Sequence, residues 1–167
     1  MRAMRLDAMA AVLLWGLAGC APDLNWREVR IDEAGLMQMF PCRPHRQQRT
    51  VMLGARPRPV TLYVCDADQA SWALAVADVD EPAARDKVLQ AMADTARANL
   101  GIVGSAAPET LRGERYRLRG KTPDGRALEL AGRVEARGNH VLQWAVVGAN
   151  PRAGEIDAFL SSALVTR

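Results

Sequence analysis

The chain has 167 residues, of which 49% are hydrophobic and 25% are charged. This length favours a single domain, and the composition is that of a globular protein rather than a disordered one. The formal net charge is +3, which is too small to indicate binding to nucleic acid.

The first 20 residues have the pattern of an export signal. Arg2 and Arg5 precede an apolar run from residue 8 to residue 17. That run is too short to span a bilayer, but it has the length of the apolar region of a signal peptide. It ends in a segment that resembles the lipobox of bacterial lipoproteins at every position: Leu17, Ala18, Gly19 and Cys20.

The lipobox resemblance implies cleavage before Cys20 and acylation of that cysteine. Residues 1–19 would then be a signal peptide, residues 20–26 a lipidated tether and residues 27–167 a single α+β domain. The lipid would anchor the chain to a membrane, because more than one acyl chain holds a protein there stably. The alternative is an ordinary signal peptide, or an anchor helix, with a chance cysteine.

The residue after the cysteine bears on the destination. In enterobacterial-type sorting, an Asp at this position favours the inner membrane, whereas Ala21 stands here. We therefore expect a cell-envelope protein that faces the periplasm and is attached to the outer membrane rather than the inner one.

Two cysteines remain after Cys20. In an oxidising envelope a pair such as Cys42 and Cys65 is usually bridged, so we predict a disulfide between them. A zinc site built from these two cysteines with His45 and His140 is the alternative, but it lacks the paired short ligand spacings of such sites. We therefore predict no metal and no cofactor.

Strand patterns dominate the first half of the mature chain. Alternation of apolar and polar residues, with turns at 32–35 and 54–59, predicts strands over residues 27–31, 36–40, 47–53, 60–66 and 71–79. Apolar residues at three- and four-residue spacing then predict a helix over 82–100, which begins near Asp80 and Glu81 and stops at Gly101.

The second half returns to strands and ends in a helix. Residues 112–120 and 126–136 flank a turn at 122–125, and a further strand covers 141–147. Asn150 and Pro151 are predicted to begin a last helix. Its apolar face would contain Ile156, Phe159, Leu160, Ala163 and Leu164.

This order of elements predicts an α+β fold, with one antiparallel β-sheet of about six to eight strands covered by two main helices. The chain resembles small envelope proteins with a PsbP-like α-β-α sandwich. The resemblance rests on the order of its parts: a lipobox, a strand that ends in the segment Phe40 to Pro44, two strands, a long helix, a meander and a final helix. An uncharacterised group of proteobacterial lipoproteins is also similar, through Phe40-Pro41-Cys42, Cys65, the segment 72–75 and the segment 98–100. Neither resemblance implies a catalytic residue.

No catalytic motif is present, so we expect a protein that is not an enzyme. The only histidines, His45 and His140, are predicted in or beside turns. A small hydrolase would need one of them next to a nucleophile in a concave site. A small-ligand carrier would need a cavity between the sheet and the helices.

Arginines provide the most specific hint of binding. One basic group falls within sixteen residues and contains Arg43, His45, Arg46, Arg49, Arg56 and Arg58. Arg115, Arg117 and Arg119 alternate along a strand that would point all three to one side. If both groups share a face, they form a patch for phosphates or carboxylates. The alternative is a solvated surface that protects a sheet edge from aggregation. We expect a binding or assembly accessory whose partner is an anionic envelope component or an envelope protein.

Overall fold

The structure is a computed structural model that describes residues 24–99, 109–111, 115–121 and 124–166. The predicted signal peptide, the lipobox with Cys20, and residues 20–23 of the tether lie outside these residues. The predicted end of the first helix at Leu100 and Gly101 also lies outside them.

The described residues form ten strands and two α-helices, numbered here in chain order. The strands are β1 (Arg27–Ile31), β2 (Leu36–Phe40), β3 (His45–Leu53), β4 (Arg56–Ala67), β5 (Ala70–Asp78), β6 (Glu109–Leu111), β7 (Arg115–Lys121), β8 (Ala127–Arg137), β9 (His140–Gly148) and β10 (Leu164–Val165). The helices are α1 (Arg85–Asn99) and α2 (Ala153–Ser161).

These strands divide into two antiparallel sheets. The main sheet has the order β3-β4-β5-β9-β8-β7-β6, and the small sheet has the order β1-β2-β10. Hairpins connect most neighbours, and the central pair β5–β9 aligns Ala70 with Gly148 and Asp78 with His140. The result is a mostly antiparallel α+β fold, as the sequence predicts.

The side chains of the central strands alternate between the two faces of the main sheet, and both faces are buried. On β5, Trp72, Leu74 and Val76 join one core cluster. The intervening Ala75 and Ala77 join a second cluster on the opposite face. Each face of the main sheet is therefore a packing surface.

The two faces are covered differently. Helix α1 packs on one face through Val88 and Met92, and Ala96 contacts residues of β7 and β8. The other face packs against α2, through Ile156, Phe159 and Leu160, and also against apolar residues of β1 and β2 in the small sheet. The prediction of one sheet covered by two helices therefore needs a correction, since a separate sheet shares one face with α2.

The last helix also ends earlier than predicted. It stops at Ser161, and Leu164, predicted on its apolar face, lies instead in β10 and pairs with Met37 of β2. Its N-cap is Arg152, without a side-chain cap, rather than Asn150. Backbone pairing to β2 satisfies the groups of residues 164–165 that a continued helix would have bonded internally.

Strand β4 begins at Arg56, earlier than the predicted start at residue 60. Pro57 and Pro59 favour a turn in the sequence, but they lie within β4 opposite Met52 and Thr50. Pairing of β4 with β5 begins only at Val60. The two prolines therefore fall where β4 has a strand on one side only, which is where a sheet tolerates a residue without an N–H donor.

Candidate functional site

Cys42 and Cys65 form the predicted disulfide, with an S–S distance of 2.07 Å and a Cα–Cα distance of 6.0 Å. Cys42 follows β2 of the small sheet, and Cys65 lies in β4 of the main sheet. The bond therefore joins the two sheets covalently.

The described chain begins against this disulfide. Leu24 is buried, and the Asn25 N–H donates to the Pro41 carbonyl at 2.7 Å. The Trp26 ring contacts Trp72 edge-to-face, with centroids 6.1 Å apart. The chain is thus fixed to the domain from the fourth residue after Cys20.

The two histidines have different surroundings. His45 is exposed on β3, whereas His140 Nδ1 lies 2.9 Å from Asp78 Oδ1. Neither histidine lines either of the clefts described below. The His140–Asp78 contact pairs a base with an acid, and within the described part of the chain no hydroxyl or thiol is hydrogen-bonded to this imidazole.

The two arginine groups do not meet. Arg46 and Arg49 of the first group lie on β3, and Arg56 and Arg58 lie on β4. The second group lies on β7, which is five strand spacings from β3 and four from β4, or about 19–24 Å away. Within β3, Arg46 is opposite Tyr63 and Arg49 is opposite Val60, so their side chains point to opposite faces. The single shared patch considered from the sequence is therefore not assembled.

The β7 arginines share one face, as their alternation predicts, and each of them contacts a carboxylate. Arg117 and Arg119 both contact Glu129, at 3.3 Å and 3.4 Å. Arg115 contacts Asp157 of α2 at 2.9 Å. These pairs tie β7 to β8 and to α2, so the row has a structural role in the fold.

Arg46 belongs to a polar group that links the main sheet to the turn between β1 and β2. Its Nε donates to Glu33 Oε1 at 3.0 Å, and the Tyr63 hydroxyl donates to Glu33 Oε2 at 2.7 Å. Burial opposes ionisation of Glu33, but the hydrogen bonds from Arg46, the backbone and Tyr63 outweigh it and lower the pKa of that carboxyl. Burial, and then the bond to Glu33, raises the pKa of Tyr63.

Arg43 and Arg49 remain exposed at the β3 edge. Arg49 donates to Gln47 Oε1 at 2.9 Å. Neither arginine forms an ion pair with a described acid. They provide positive charge along the edge strand, in keeping with protection of that edge.

One open cleft, of about 580 Å³, lies at the end of the main sheet nearest the disulfide. It is lined by the β4–β5 turn at residues 66–71, by residues 126–128 and by residues 147–149. In this turn, Asp68 and Gln69 have positive φ angles of 50° and 58°. Arg152 binds Asp68 Oδ2 at 2.9 Å and holds the turn in place.

A second cleft, of about 250 Å³, lies between the β3–β4 turn and the start of α1. We call it the hairpin–helix cleft. Its walls come from residues 53–56 and Arg58 on one side, and from Glu81, Ala83, Ala84, Lys87 and Val88 on the other. Three cationic side chains, Arg56, Arg58 and Lys87, therefore line one small space.

This juxtaposition could not be read from the sequence. Arg56 and Arg58 stand in a basic stretch, but Lys87 follows 29 residues later on a helix. The prolines around Arg58 indicate an exposed turn, whereas Arg58 is buried in β4. Only the packing of α1 against the β3–β4 hairpin brings the three cations together.

Comparison with known proteins yields no relative: no family model, no curated protein and no solved structure matches this chain. Among the residues that the structure describes, neither helix is long and apolar enough to cross a membrane.

Proposed function

We propose that the chain is a lipid-anchored protein of the bacterial cell envelope, acylated at Cys20, with a non-enzymatic domain that binds an anionic component or assists assembly. The observation that carries the proposal is the Cys42–Cys65 disulfide. Such bonds persist in oxidising compartments, and the lipobox at residues 17–20 is a signal for export to one. Two features that are independent in the sequence thus agree on one location.

The short distance between Cys20 and the folded domain supports attachment close to the membrane surface. Leu24, which is buried in the domain, is four Cα–Cα steps from Cys20 along the chain. An extended chain of that length spans at most about 14 Å. The lipidated domain would therefore lie against the bilayer, with the end that contains Trp26 and the disulfide nearest to it.

A binding role agrees better than catalysis with the groups on the surface. The β7 arginines form ion pairs with acids. Among the described residues, Asp78 is the one ionisable group that His140 contacts. Of the two clefts described above, the hairpin–helix cleft is the one lined by several cationic side chains. In this proposal the fold is a variant of the PsbP-like arrangement, and the membrane is the outer one.

The anchor is tested by expressing the full chain in a bacterium that processes lipoproteins. We expect mass spectrometry of the purified protein to show an N-terminal acylated Cys20, and membrane fractions to contain the protein. Cys20→Ser should move it to the soluble or precursor fraction. Cys42→Ser is the matched control, because it removes a cysteine but leaves the lipobox intact.

An unmodified N-terminus at residue 20, or a Cys20→Ser variant that fractionates with membranes as mature protein, contradicts the proposal.

A further inference from the structure

Arg58 is the central residue of the hairpin–helix cleft. Its side chain is only 9% exposed, and its Nη1 donates to the Asp78 carbonyl at 3.1 Å. Its Nε is buried and has no acceptor among the described residues. The guanidinium therefore has hydrogen-bonding capacity that the described protein groups leave unused.

The acids near the cleft hold its cations only loosely. Asp80 Oδ2 lies 3.6 Å from Arg58 Nη1, and Glu81 Oε1 lies 4.0 Å from Arg56 Nη1. Both distances are too long for hydrogen bonds. The two carboxylates are 88% and 66% exposed, and ion pairs this exposed are weak because water screens them. A stronger oxyanion would therefore displace them at small cost.

We infer that the hairpin–helix cleft binds a phosphate group through Arg58, Arg56 and Lys87. The lining residues carry three positive charges and one negative charge, from Glu81. Asp80 beside Arg58 adds a second negative charge, which leaves a surplus of one positive charge. This surplus favours an oxyanion, and the planar guanidinium groups of two arginines suit the several oxygens of a phosphate. The cleft volume of about 250 Å³ admits the phosphate group but not a whole drug-sized molecule.

The position of the cleft indicates where the phosphate comes from. Arg58 precedes Cys65 by seven residues on β4, which corresponds to about 23 Å along the strand. Trp26, near the expected anchor, packs on Trp72, which pairs with Cys65. The cleft therefore lies at the end of the sheet opposite the anchor. For this orientation the inference rests on the proposed function, and it favours a soluble phosphate-bearing molecule over the headgroups of the protein's own membrane.

The test is a titration of the full chain, in a non-ionic detergent, with inorganic phosphate. We expect saturable 1:1 binding by calorimetry, with amide chemical-shift changes centred on Arg58, Ala83, Ala84 and Lys87. Lys87→Gln should weaken binding roughly tenfold through the loss of one charge-assisted contact. Its side chain is exposed, so the melting temperature should not change.

Arg58→Gln should weaken binding by at least as much, with its fold checked by circular dichroism. Arg30→Gln is the matched control, because Arg30 is an exposed arginine of the small sheet that contacts Asp32. We expect this control to bind phosphate as the unchanged chain does.

A second titration uses vesicles that contain phosphatidylglycerol. Binding of inorganic phosphate that is lost in Lys87→Gln supports the site. Vesicle binding that is lost in the same variant supports the site too but assigns the phosphate to a lipid headgroup. No saturable binding to either probe, or equal binding by Lys87→Gln and Arg30→Gln, overturns the inference. Because the titration does not use the acyl group, its failure leaves the proposed anchor standing.

Discussion

Gln38 is the residue with the most completely buried polar side chain in the described chain, and its amide connects three elements. It has no exposed surface, although it lies between Leu36 and Phe40 on the inward face of β2. Its Nε2 donates to the Phe159 carbonyl at 2.9 Å, and its Oε1 accepts from Trp144 Nε1 at 2.8 Å. These bonds link the small sheet to α2 and to the centre of the main sheet.

Replacing Gln38 should therefore be costly. Gln38→Met preserves length but leaves the Trp144 indole N–H buried without an acceptor, and we expect a loss of about 2–3 kcal/mol in the free energy of unfolding. Urea unfolding followed by tryptophan fluorescence measures it. Gln48→Met on the exposed face of β3 is the control and should change stability by less than about 0.5 kcal/mol. Equal effects of the two substitutions contradict a role for the amide.

Glu33 and Tyr63 should make stability depend on pH at both extremes. The pKa of Glu33 is lowered from its ordinary value of 4.5. Its contribution to stability is therefore present above that value and is lost as pH falls through the lower, folded-state pKa. The raised pKa of Tyr63 means that its contribution is present at neutral pH. This contribution is lost as pH rises above about 10 through the folded value.

Glu33→Gln tests the loss of stability that we expect at low pH. We expect it to destabilise the protein by on the order of 1 kcal/mol at pH 7, because the group is partly screened by solvent. The difference from the unchanged chain should shrink towards pH 3, as measured by urea midpoints at both pH values. Glu28→Gln, at an exposed position of β1, is the control. A difference that persists unchanged at pH 3 would show that the charge of Glu33 is irrelevant.

The sequence predicts which face of a strand a residue lies on better than it predicts which distant residue its side chain contacts. The alternation of β2 places Gln38 on an inward face, but nothing local identifies Trp144, 106 residues away. The same holds for the cations of the hairpin–helix cleft, because contacts between distant segments depend on packing that a local pattern does not contain.

At the scale of elements, β7 and β8 are fitted to one another by a glycine. A Cβ added at Gly132 would lie 2.5 Å from Tyr116 Cζ and 2.9 Å from the Trp144 carbonyl oxygen. The Tyr116 ring therefore covers the backbone of β8 at the one position where no side chain intervenes. Its hydroxyl accepts from Gln143 Nε2 at 2.6 Å on the next strand.

Gly132→Ala should displace this ring and reduce stability by about 1–3 kcal/mol. Gly154→Ala is the matched control, since nothing lies within 4 Å of a Cβ at Gly154 in α2. We expect that control to stabilise the protein by up to about 1 kcal/mol, because alanine favours a helix over glycine. Thermal melts of both variants measure the effects. A neutral Gly132→Ala would show that Tyr116 can move aside freely.

Elements with a strong local period were predictable, and elements defined by a distant partner were not. The predicted bounds of β1 and β2 agree with the structure, as does the existence of both helices. The two-residue strand β10 has no period of its own and exists because β2 offers it a pairing edge. The assignment of β1, β2 and β10 to a separate sheet likewise depends on tertiary packing, which strand patterns do not encode.

For the whole molecule, the disulfide is the main covalent restraint. It closes a loop with a sequence separation of 23 residues, and restricting the unfolded chain to this extent contributes about 3 kcal/mol. Cys42→Ala with Cys65→Ala should therefore lower the melting temperature by roughly 6–12 °C.

Dithiothreitol should reproduce this shift in the unchanged chain and have no effect on the double variant. A double variant that melts at the same temperature as the unchanged chain contradicts the restraint.

The same bond also determines how the domain responds to being pulled from its N-terminal end. Tension that enters beside Trp26 and passes along the backbone to Cys42 crosses the sulfur atoms directly to Cys65 in β4, the second strand of the main sheet. Residues 43–64, which include β3 and most of β4, lie within the loop that this bond closes and are therefore off the covalent path. The β3–β4 hairpin, which forms one wall of the hairpin–helix cleft, thus cannot be extended end to end by traction for as long as the bond is oxidised.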